Sequence, residues 1–338
     1  MLSFKKVAKF FLKWRAYWRI QLYPPAYWVP AQITQWSYLK YLCRFLRDKK
    51  AYQAYEKALG VYDPSIEFIH YDQVAFLSAT GGSEVMNIYR KVTLGTMTLF
   101  EKIYLNTSQD LQRVHAFYQH IYPLIDPEKL RIPALVKCLE AKQTTIIYAE
   151  FFPQLTPIAP DNLMSCLLDT VVYLSQLPVP EDYVFDPEAF EAYVFYHDQK
   201  PYAQEVLKQY GFDVDLLASM ESLVTSFPFV VTHNDLHGEN LYQHHILIDF
   251  DCWGVYPIGY EVARLMVRMK MNDIDRLDTM LTRLHQRLPS HLSHYLNVST
   301  YYFTFVMTAR FALKHNATQW QSFIQSLYHR LQKALTKI

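Results

Sequence analysis

The stretch Val231–Asp251 reads VTHNDLHGENLYQHHILIDFD, and it decides how the rest of the chain is interpreted. A short apolar run leads into a polar loop, and a second apolar run ends at Asp249 and Asp251. Apolar runs of about four to eight residues between polar turns are typical of buried strands. Two carboxylates at the end of such a strand cost free energy unless a cation or hydrogen-bond donors accompany them. The stretch therefore predicts two short strands with a functional loop between them.

The loop has the spacing that phosphoryl transfer from a nucleotide to a hydroxyl requires. That reaction uses a carboxylate that orients the hydroxyl and accepts its proton, and oxygen ligands for a Mg²⁺ that bridges the phosphates. Asp235 follows His233 by two positions and precedes Asn240 by five. The pattern predicts Asp235 as the base and Asn240 and Asp249 as magnesium ligands, with Asp251 as a further candidate ligand.

These residues resemble the aminoglycoside phosphotransferase and choline kinase family, which has a protein-kinase-like fold. The resemblance is carried by His-Asn-Asp-Leu at 233–236 and Ile-Asp-Phe-Asp at 248–251, and it extends over about residues 66–335. Tyr256–Ala263 is similar to the family's helix start after the metal aspartate, although Glu261 stands where the family usually has Asp. The resemblance implies a kinase that uses ATP and Mg²⁺ to phosphorylate an alcohol group of a small molecule, with His233 bracing the catalytic loop.

The order of elements predicts an α+β fold with two lobes, because strands precede helices instead of alternating with them. Segments rich in β-branched and aromatic residues, separated by glycine turns, indicate a three-stranded antiparallel meander. The predicted strands are Ile66–Ser78, Glu84–Val92 and Met97–Leu105, then Ala134–Lys137 and Thr144–Phe151. The predicted helices are 2–22, about 35–60, about 108–124, 161–177, 187–209, 213–226, 259–287, 290–314 and 318–336. We therefore expect a basic, aromatic helical extension at 1–62, a nucleotide-binding N-lobe at 63–153 and a helical C-lobe at 154–338.

The resemblance implies that the N-lobe binds ATP. Gly81, Gly82 and Ser83 would form the loop over the phosphates, since glycine amides can approach them closely; an ordinary hairpin turn is the alternative. The ATP-binding lysine is either Lys102 in the third strand, where the family's lysine falls, or Lys91 in the second. Lys102 is preferred because a helix follows it directly.

Two further features bear on the nucleotide site. Glu150 and Phe151 lie in a segment that resembles the family's connection between the lobes, where backbone groups would bind adenine. The helix after Lys102 has no glutamate to pair with that lysine, and Asp110 and Gln112 are its nearest substitutes. This departure favours an alternative function, a catalytically inactive kinase-fold scaffold docked at a membrane.

The acceptor is expected to bind in the C-lobe. Glu181–Lys200 carries six acidic residues and six interleaved aromatic residues against a single lysine. Carboxylates and aromatic faces suit a cationic alcohol, such as choline or an amino sugar, although a neutral sugar also remains a candidate. The alternative is a solvated acidic helix whose aromatic residues face the core.

Charge is distributed unevenly along the chain. Residues 1–50 hold seven Lys and four Arg against one acidic residue, whereas the whole chain has a formal net charge of +1. Aromatic and basic residues at helical spacing in 1–22 predict peripheral contact with an anionic membrane. The alternative is that this helix packs its aromatic residues on the small lobe. No recognised nucleic-acid motif accompanies the basic segment, so no nucleic-acid partner is expected.

Composition excludes other classes of protein. With 51% apolar and 19% charged residues, the 338-residue chain is not disordered, and it lacks a run of about 18 apolar residues that would span a membrane. Its four cysteines form no CxxC pair, which argues against a disulfide framework and for a cytoplasmic location. His233, His237, His244 and His245 lack the spacing of a helical zinc site. No GxSxG elbow supports a serine nucleophile.

Overall fold

The computed structural model describes residues 73–80, 87–106, 109–142, 144–179, 199–315 and 318–338. The predicted helices at 2–22 and 35–60, the glycines Gly81 and Gly82, and the acidic segment up to residue 198 lie outside the described residues. The chain divides into two compact units. The first contains the described residues up to Gln112 together with Pro133–Gln154, and the second contains Arg113–Ile132 and Leu155–Ile338.

The first unit is built on a five-stranded sheet in which every neighbouring pair of strands is antiparallel. Gly95 has a φ of +58°, which suits the tight turn between the second and third strands. The predicted antiparallel meander is therefore confirmed. The strands are β1 (Gln73–Thr80), β2 (Asn87–Leu94), β3 (Met97–Leu105), β4 (Leu135–Glu140) and β5 (Thr144–Glu150), in the order β1-β2-β3-β5-β4.

The helix predicted after β3 changes its geometry along its length. It begins as α1 (Gln109–Ala116), continues as a π-helical turn at Phe117–Ile121 and ends as a 3₁₀ turn at Tyr122–Leu124. Phe117 and Ile121 are fully buried in the core of the second unit. The segment Arg113–Ile132, which falls inside the predicted N-lobe range 63–153, therefore packs with the helical unit.

The second unit is mainly helical, as predicted. Its helices are α2 (Pro160–Ser175), α3 (Lys200–Gln209), α4 (Asp215–Val224), α5 (Tyr260–Arg268), α6 (Ile274–His285), α7 (Ser290–His315) and α8 (Thr318–Leu335). In the part of this unit that the structure describes, four short strands accompany them: β6 (Phe229–Thr232), β7 (Leu241–Tyr242), β8 (Ile246–Leu247) and β9 (Gly254–Pro257). Among the described residues, no helix combines the length and apolar character needed to cross a bilayer.

The single helix predicted at 259–287 is wrong, because α5 and α6 are separate helices. The backbone N–H of Met271 donates to Met266 and that of Lys270 to Val267, which is the Schellman arrangement that ends a helix. Lys270 occupies the left-handed position with a φ of +52°, where glycine is the usual residue. The Asp273 side chain then caps α6 by accepting two backbone N–H groups.

Close packing of two helices fixes where α5 begins. Gly259 precedes α5 with a φ of +88°, and a Cβ atom there would lie 2.4 Å from the Thr300 hydroxyl on α7. Tyr260 is fully buried, and its ring packs edge-on against Phe303 of α7 at 5.1 Å. The start of α5 is therefore anchored on α7, and this anchoring positions the residues of α5 described below.

Candidate active site

The loop at 233–240 and the residues after β8 are brought together by two small pairs of strands. β6 leads into the loop and pairs antiparallel with β9, and β7 pairs antiparallel with β8. The loop thus enters the β7–β8 hairpin, and residues 248–253 leave it towards β9. The two strand pairs therefore connect the loop at 233–240 with residues 248–253, which are the two functional segments predicted from the sequence.

His233 connects the two segments. Its ring is completely buried, with Nδ1 3.3 Å from the Asp235 backbone nitrogen and Nε2 2.8 Å from the Ile248 carbonyl oxygen. Because the backbone N–H donates to Nδ1, the neutral ring protonated at Nε2 satisfies both hydrogen bonds. His233 thus braces the loop against the residue that precedes Asp249.

Asn240 makes a second connection. Its side-chain Nδ2 atom donates to the backbone carbonyl of Asp235 at 2.9 Å, and the backbone carbonyl of Asn240 accepts the Ile248 N–H at 3.0 Å. The Asn240 side chain is buried, and its Nδ2 atom is engaged, so Oδ1 is the atom that could bind a cation.

Asp249 stands in a strained backbone conformation. Its φ and ψ of 68° and 61° lie in the left-handed region, which non-glycine residues seldom adopt and which occurs at functional sites. The next residue, Phe250, is buried between the edge of the His233 ring and the face of Phe117, with ring centroids 4.6 and 4.1 Å apart. Packing of Phe250 thus holds the exposed Asp249 in place shortly after β8.

Negative charge accumulates after β8. Burial, followed by the charges of Asp235, Asp251 and Asp249, raises the pKa of Cys252 to about 11. Asp251 is buried, and its carbonyl accepts a hydrogen bond from Arg113 at 3.4 Å. A cation would relieve this concentration of carboxylates.

The oxygen atoms available in this site suit a cation that also binds phosphate oxygens and water. Within the described ranges, no group of three or more His, Cys, Asp or Glu side chains could hold a metal ion by itself. Mg²⁺ commonly binds through one or two carboxylates together with phosphate oxygens and water. Asn240, Asp249 and Asp251 fit that kind of site better than a protein-only metal cage.

Helix α5 supplies a stripe of three charged residues that contacts the loop. Glu261, Arg264 and Arg268 have the spacing i, i+3, i+7 and therefore share one helix face. The buried Glu261 carboxylate accepts the Asn234 N–H at 2.6 Å and the Leu236 N–H at 3.4 Å. Burial raises the pKa of Glu261, and the two backbone N–H donors and the Arg264 charge oppose that effect.

Arg264 completes the clamp on the loop backbone. Its Nε and Nη2 atoms donate to the Asn234 carbonyl at 3.1 and 3.0 Å, and its side chain is only 5% exposed. Asn234 itself has a φ of +60°, a strained conformation for a non-glycine residue. Glu261 and Arg264 therefore hold both the N–H and the C=O of the residue that precedes Asp235.

Asp235 lies among positively polarised groups. Arg268 forms an ion pair with its Oδ1 atom, Arg264 lies 3.9 Å from the same oxygen, and His237 Nε2 lies 3.6 Å from Oδ2. Burial alone would raise the pKa of Asp235. The His237 ring and the charges of Arg268 and Arg264 outweigh burial and hold the pKa below its ordinary value. Asp235 is thus kept ionised and oriented.

The predicted nucleotide-binding residues of the first unit lie on β2, β3 and after β5. Lys91 pairs in register with Phe100, which is two residues from Lys102, so both candidate lysines share one face of the sheet. The Lys91 ammonium lies 5.0 Å from the centre of the Phe151 ring, and that of Lys102 lies 5.6 Å from the Phe100 ring. Sheet geometry therefore does not distinguish between the two lysines.

The structure also places the other residues that the sequence assigned to the nucleotide site, apart from the glycine loop. Glu150 ends β5 and donates its N–H to the Ala134 carbonyl at 2.8 Å. Asp110 lies in the first turn of α1, and Gln112 is exposed on the same helix. Gly81, Gly82 and Ser83 belong to the undescribed residues between β1 and β2.

Sequence reasoning missed Arg264 and Arg268, and it noted Glu261 only as a departure from a family pattern. The i, i+3, i+7 spacing of three charged residues in an otherwise buried helix was a signal that could have found them. A helix face that carries charge while its surroundings are apolar must meet polar partners. What that spacing could not identify is the partner, which lies about 30 residues earlier in the chain.

A family sequence model described as the phosphotransferase enzyme family matches residues 87–290. No curated protein sequence matches the chain significantly. Among solved structures, an ethanolamine kinase of Plasmodium vivax has a TM-score of 0.47 at 14% identity, covering 92% of this chain and 98% of that one. A choline kinase of Streptococcus pneumoniae has a TM-score of 0.47 at 14% identity, covering 83% and 99%.

Proposed function

Since the chain belongs to the phosphotransferase enzyme family, whose sequence model covers more than half of its length, we propose that it transfers the γ-phosphoryl group of ATP to a hydroxyl of a small molecule, with Mg²⁺. Family membership also confirms the predicted resemblance and the predicted kinase-like fold. One observation carries the proposal. Two hydrogen bonds of 2.8 and 3.0 Å tie the loop of Asp235 and Asn240 to Ile248, next to Asp249.

In the proposed reaction, Asp235 accepts a hydrogen bond from the acceptor hydroxyl and orients its oxygen towards the γ-phosphorus. As the new O–P bond forms and the bond between the γ-phosphorus and ADP breaks, the hydroxyl proton passes to Asp235. A loose transition state needs orientation more than basicity, so a carboxylate of low pKa suits this role. Glu261 and Arg264 contribute by fixing the backbone that carries Asp235.

Asn240, Asp249 and Asp251 would hold the magnesium ion. When bound, the ion would supply positive charge that neutralises the charge developing on the phosphate groups. The strain at Asp249 and the buried packing of Phe250 keep one of these ligands in place without help from the ion.

The variant Asp249→Asn tests the metal site. It keeps the shape of the side chain but removes a charged ligand, and charge-assisted contacts contribute about 1.5–3 kcal/mol. We expect the Mg²⁺ concentration for half-maximal activity to rise by about tenfold or more, measured by titration at saturating ATP. Asp275→Asn, at an exposed position of α6, is the matched control. An unchanged Mg²⁺ requirement in Asp249→Asn would contradict the assignment.

The two candidate lysines can be separated by substitution. If Lys102 binds the phosphates, Lys102→Ala should raise the KM for ATP by about tenfold or more, since a charged hydrogen bond to phosphate is lost. Lys91→Ala on the same sheet face should change it less than about threefold. Steady-state kinetics over a range of ATP concentrations measures both values. The reverse ranking would assign the phosphates to β2.

The acceptor itself is open to a direct screen. ATP-dependent phosphorylation of choline-like alcohols, amino sugars, sugars and hydroxy acids would be followed by ADP formation and mass spectrometry, with Asp235→Asn as the background. Turnover of any of these above the background supports the proposal. If none is phosphorylated, the alternative of an inactive kinase-fold binding protein is favoured. Membrane contact through residues 1–22 stays a prediction from the sequence, because those residues lie outside the part of the chain that the structure describes.

A further inference from the structure

Arg268 differs from the other two charged residues of the α5 stripe in being open to solvent. Its side chain is 44% exposed, whereas Arg264 is 5% exposed and the Asp235 carboxylate is 15% exposed. Both donors that Arg264 directs at the loop are used by the Asn234 carbonyl. Arg264 is therefore part of the framework, while Arg268 is an accessible cation in contact with the base.

The guanidinium of Arg268 has donors to spare. A guanidinium carries five N–H groups, and its contact with a single carboxylate oxygen engages only some of them. Within the described residues, Arg268 has no second acidic partner. Lys270, two positions later, adds another exposed cation at the same end of α5.

The charges near Asp235 come from two different segments. Asp249 and Asp251 follow β8 and, together with Asp235, act on the Cys252 thiol. Arg268 lies in the last turn of α5 and forms an ion pair with Asp235 Oδ1. An acceptor that places its hydroxyl at Asp235 therefore meets a guanidinium in addition to the carboxylate.

We propose that Arg268 recognises an oxyanion on the acceptor, either a carboxylate or a phosphate monoester, beside the hydroxyl that Asp235 holds. The proposal rests on the proposed function and names its substrate class. An oxyanion can bind the planar guanidinium through two hydrogen bonds. These bonds would replace the part of the Arg268–Asp235 interaction that is lost when Asp235 accepts a hydrogen bond from the acceptor hydroxyl. A cationic acceptor would instead be repelled by Arg268. The cationic acceptor expected from Glu181–Lys200 rests mainly on undescribed residues, and the exposed guanidinium of Arg268 at Asp235 favours an acceptor of the opposite charge.

The experiment compares acceptors that share a carbon skeleton and differ in charge. The first set is glycerol, glycerate and glycerol 3-phosphate, and the second is glucose, gluconate and glucose 6-phosphate, with choline and ethanolamine as cationic alcohols. For the full-length protein with ATP and Mg²⁺, we expect kcat/KM for an anionic member to exceed that of its neutral counterpart by about 10- to 100-fold. Arg268→Ala should remove that preference, and Arg268→Lys should retain part of it. Arg283→Ala, at an exposed position of α6, is the matched control and should leave the preference intact.

A second measurement reports on Arg268 without turnover. Phenylglyoxal modifies exposed arginines, and its reaction at Arg268 can be followed by peptide mass spectrometry in the presence of ADP and Mg²⁺. An anionic alcohol should slow this modification, whereas its neutral counterpart should not, and Arg283 should react equally in both cases. Equal modification of Arg268 in both cases would overturn the proposal.

The kinetic outcomes separate the two hypotheses. If neutral or cationic alcohols are phosphorylated best and Arg268→Ala leaves the preference unchanged, the inference about Arg268 is wrong and the proposed function stands. If no acceptor of any charge is phosphorylated above the Asp235→Asn background, the proposed function itself fails.

Discussion

Asp235→Asn is expected to lower turnover by about 10²- to 10⁴-fold, which is the usual contribution of a positioned general base. The amide keeps the size of the side chain but cannot accept the hydroxyl proton. His233, Asn240 and Glu261 contact the loop backbone or its neighbours, not the Asp235 carboxylate, so the loop conformation should survive. Single-turnover measurements at saturating ATP and acceptor would isolate the chemical step.

Two controls make the Asp235→Asn result specific. Nucleotide affinity, measured by calorimetry, should stay within about threefold of the wild type, because Asp235 is not among the proposed metal ligands. Thermal stability should change little, since the partner Arg268 is 44% exposed and such an ion pair contributes about 1 kcal/mol or less. Near-normal turnover in Asp235→Asn would show that another group positions the acceptor.

Glu261→Ala is expected to lower the free energy of unfolding by about 3–5 kcal/mol. The substitution leaves the buried Asn234 and Leu236 N–H groups without their acceptor, and each buried donor left unsatisfied costs about 1–3 kcal/mol. It also removes a buried negative charge beside Arg264, whose guanidinium then has the Asp235 carboxylate 3.9 Å away as counter-charge. Urea denaturation followed by circular dichroism measures the change, provided that the unfolding transition is two-state.

The Glu261→Ala variant should also lose activity out of proportion to its folded fraction. Without Glu261, the strained backbone at Asn234 is free to relax, and Asp235 moves with it. Glu205→Ala, at an exposed position of α3, is the matched control and should change both stability and turnover little. A Glu261→Ala protein with wild-type stability would mean that the loop is held mainly by Arg264 and His233.

Local sequence determined the parts of the fold whose interactions are close in the chain. The β2–β3 hairpin follows from segments rich in β-branched and aromatic residues on both sides of Gly95, whose backbone freedom sets the turn. For the break between α5 and α6, the local sequence indicates the start of α6 but not the end of α5. Asp273 is an ordinary N-cap residue of α6, but the turn that follows α5 places Lys270 in a left-handed conformation that glycine usually adopts. No local preference signals a lysine in that position, because packing of Met266 and Met271 in the core imposes it.

For the candidate site, the sequence by itself determined the spacing of His233, Asp235 and Asn240 and the short strand that precedes Asp249, because each depends on a few neighbouring residues. Only the tertiary structure decided what surrounds Asp235. The contacts of Glu261, Arg264 and Arg268 with the loop join residues about 25 to 33 positions apart, and they exist because α7 anchors the start of α5 through Gly259. Such contacts depend on how helices pack, and helix packing is set by the whole core of the second unit, not by any local pattern.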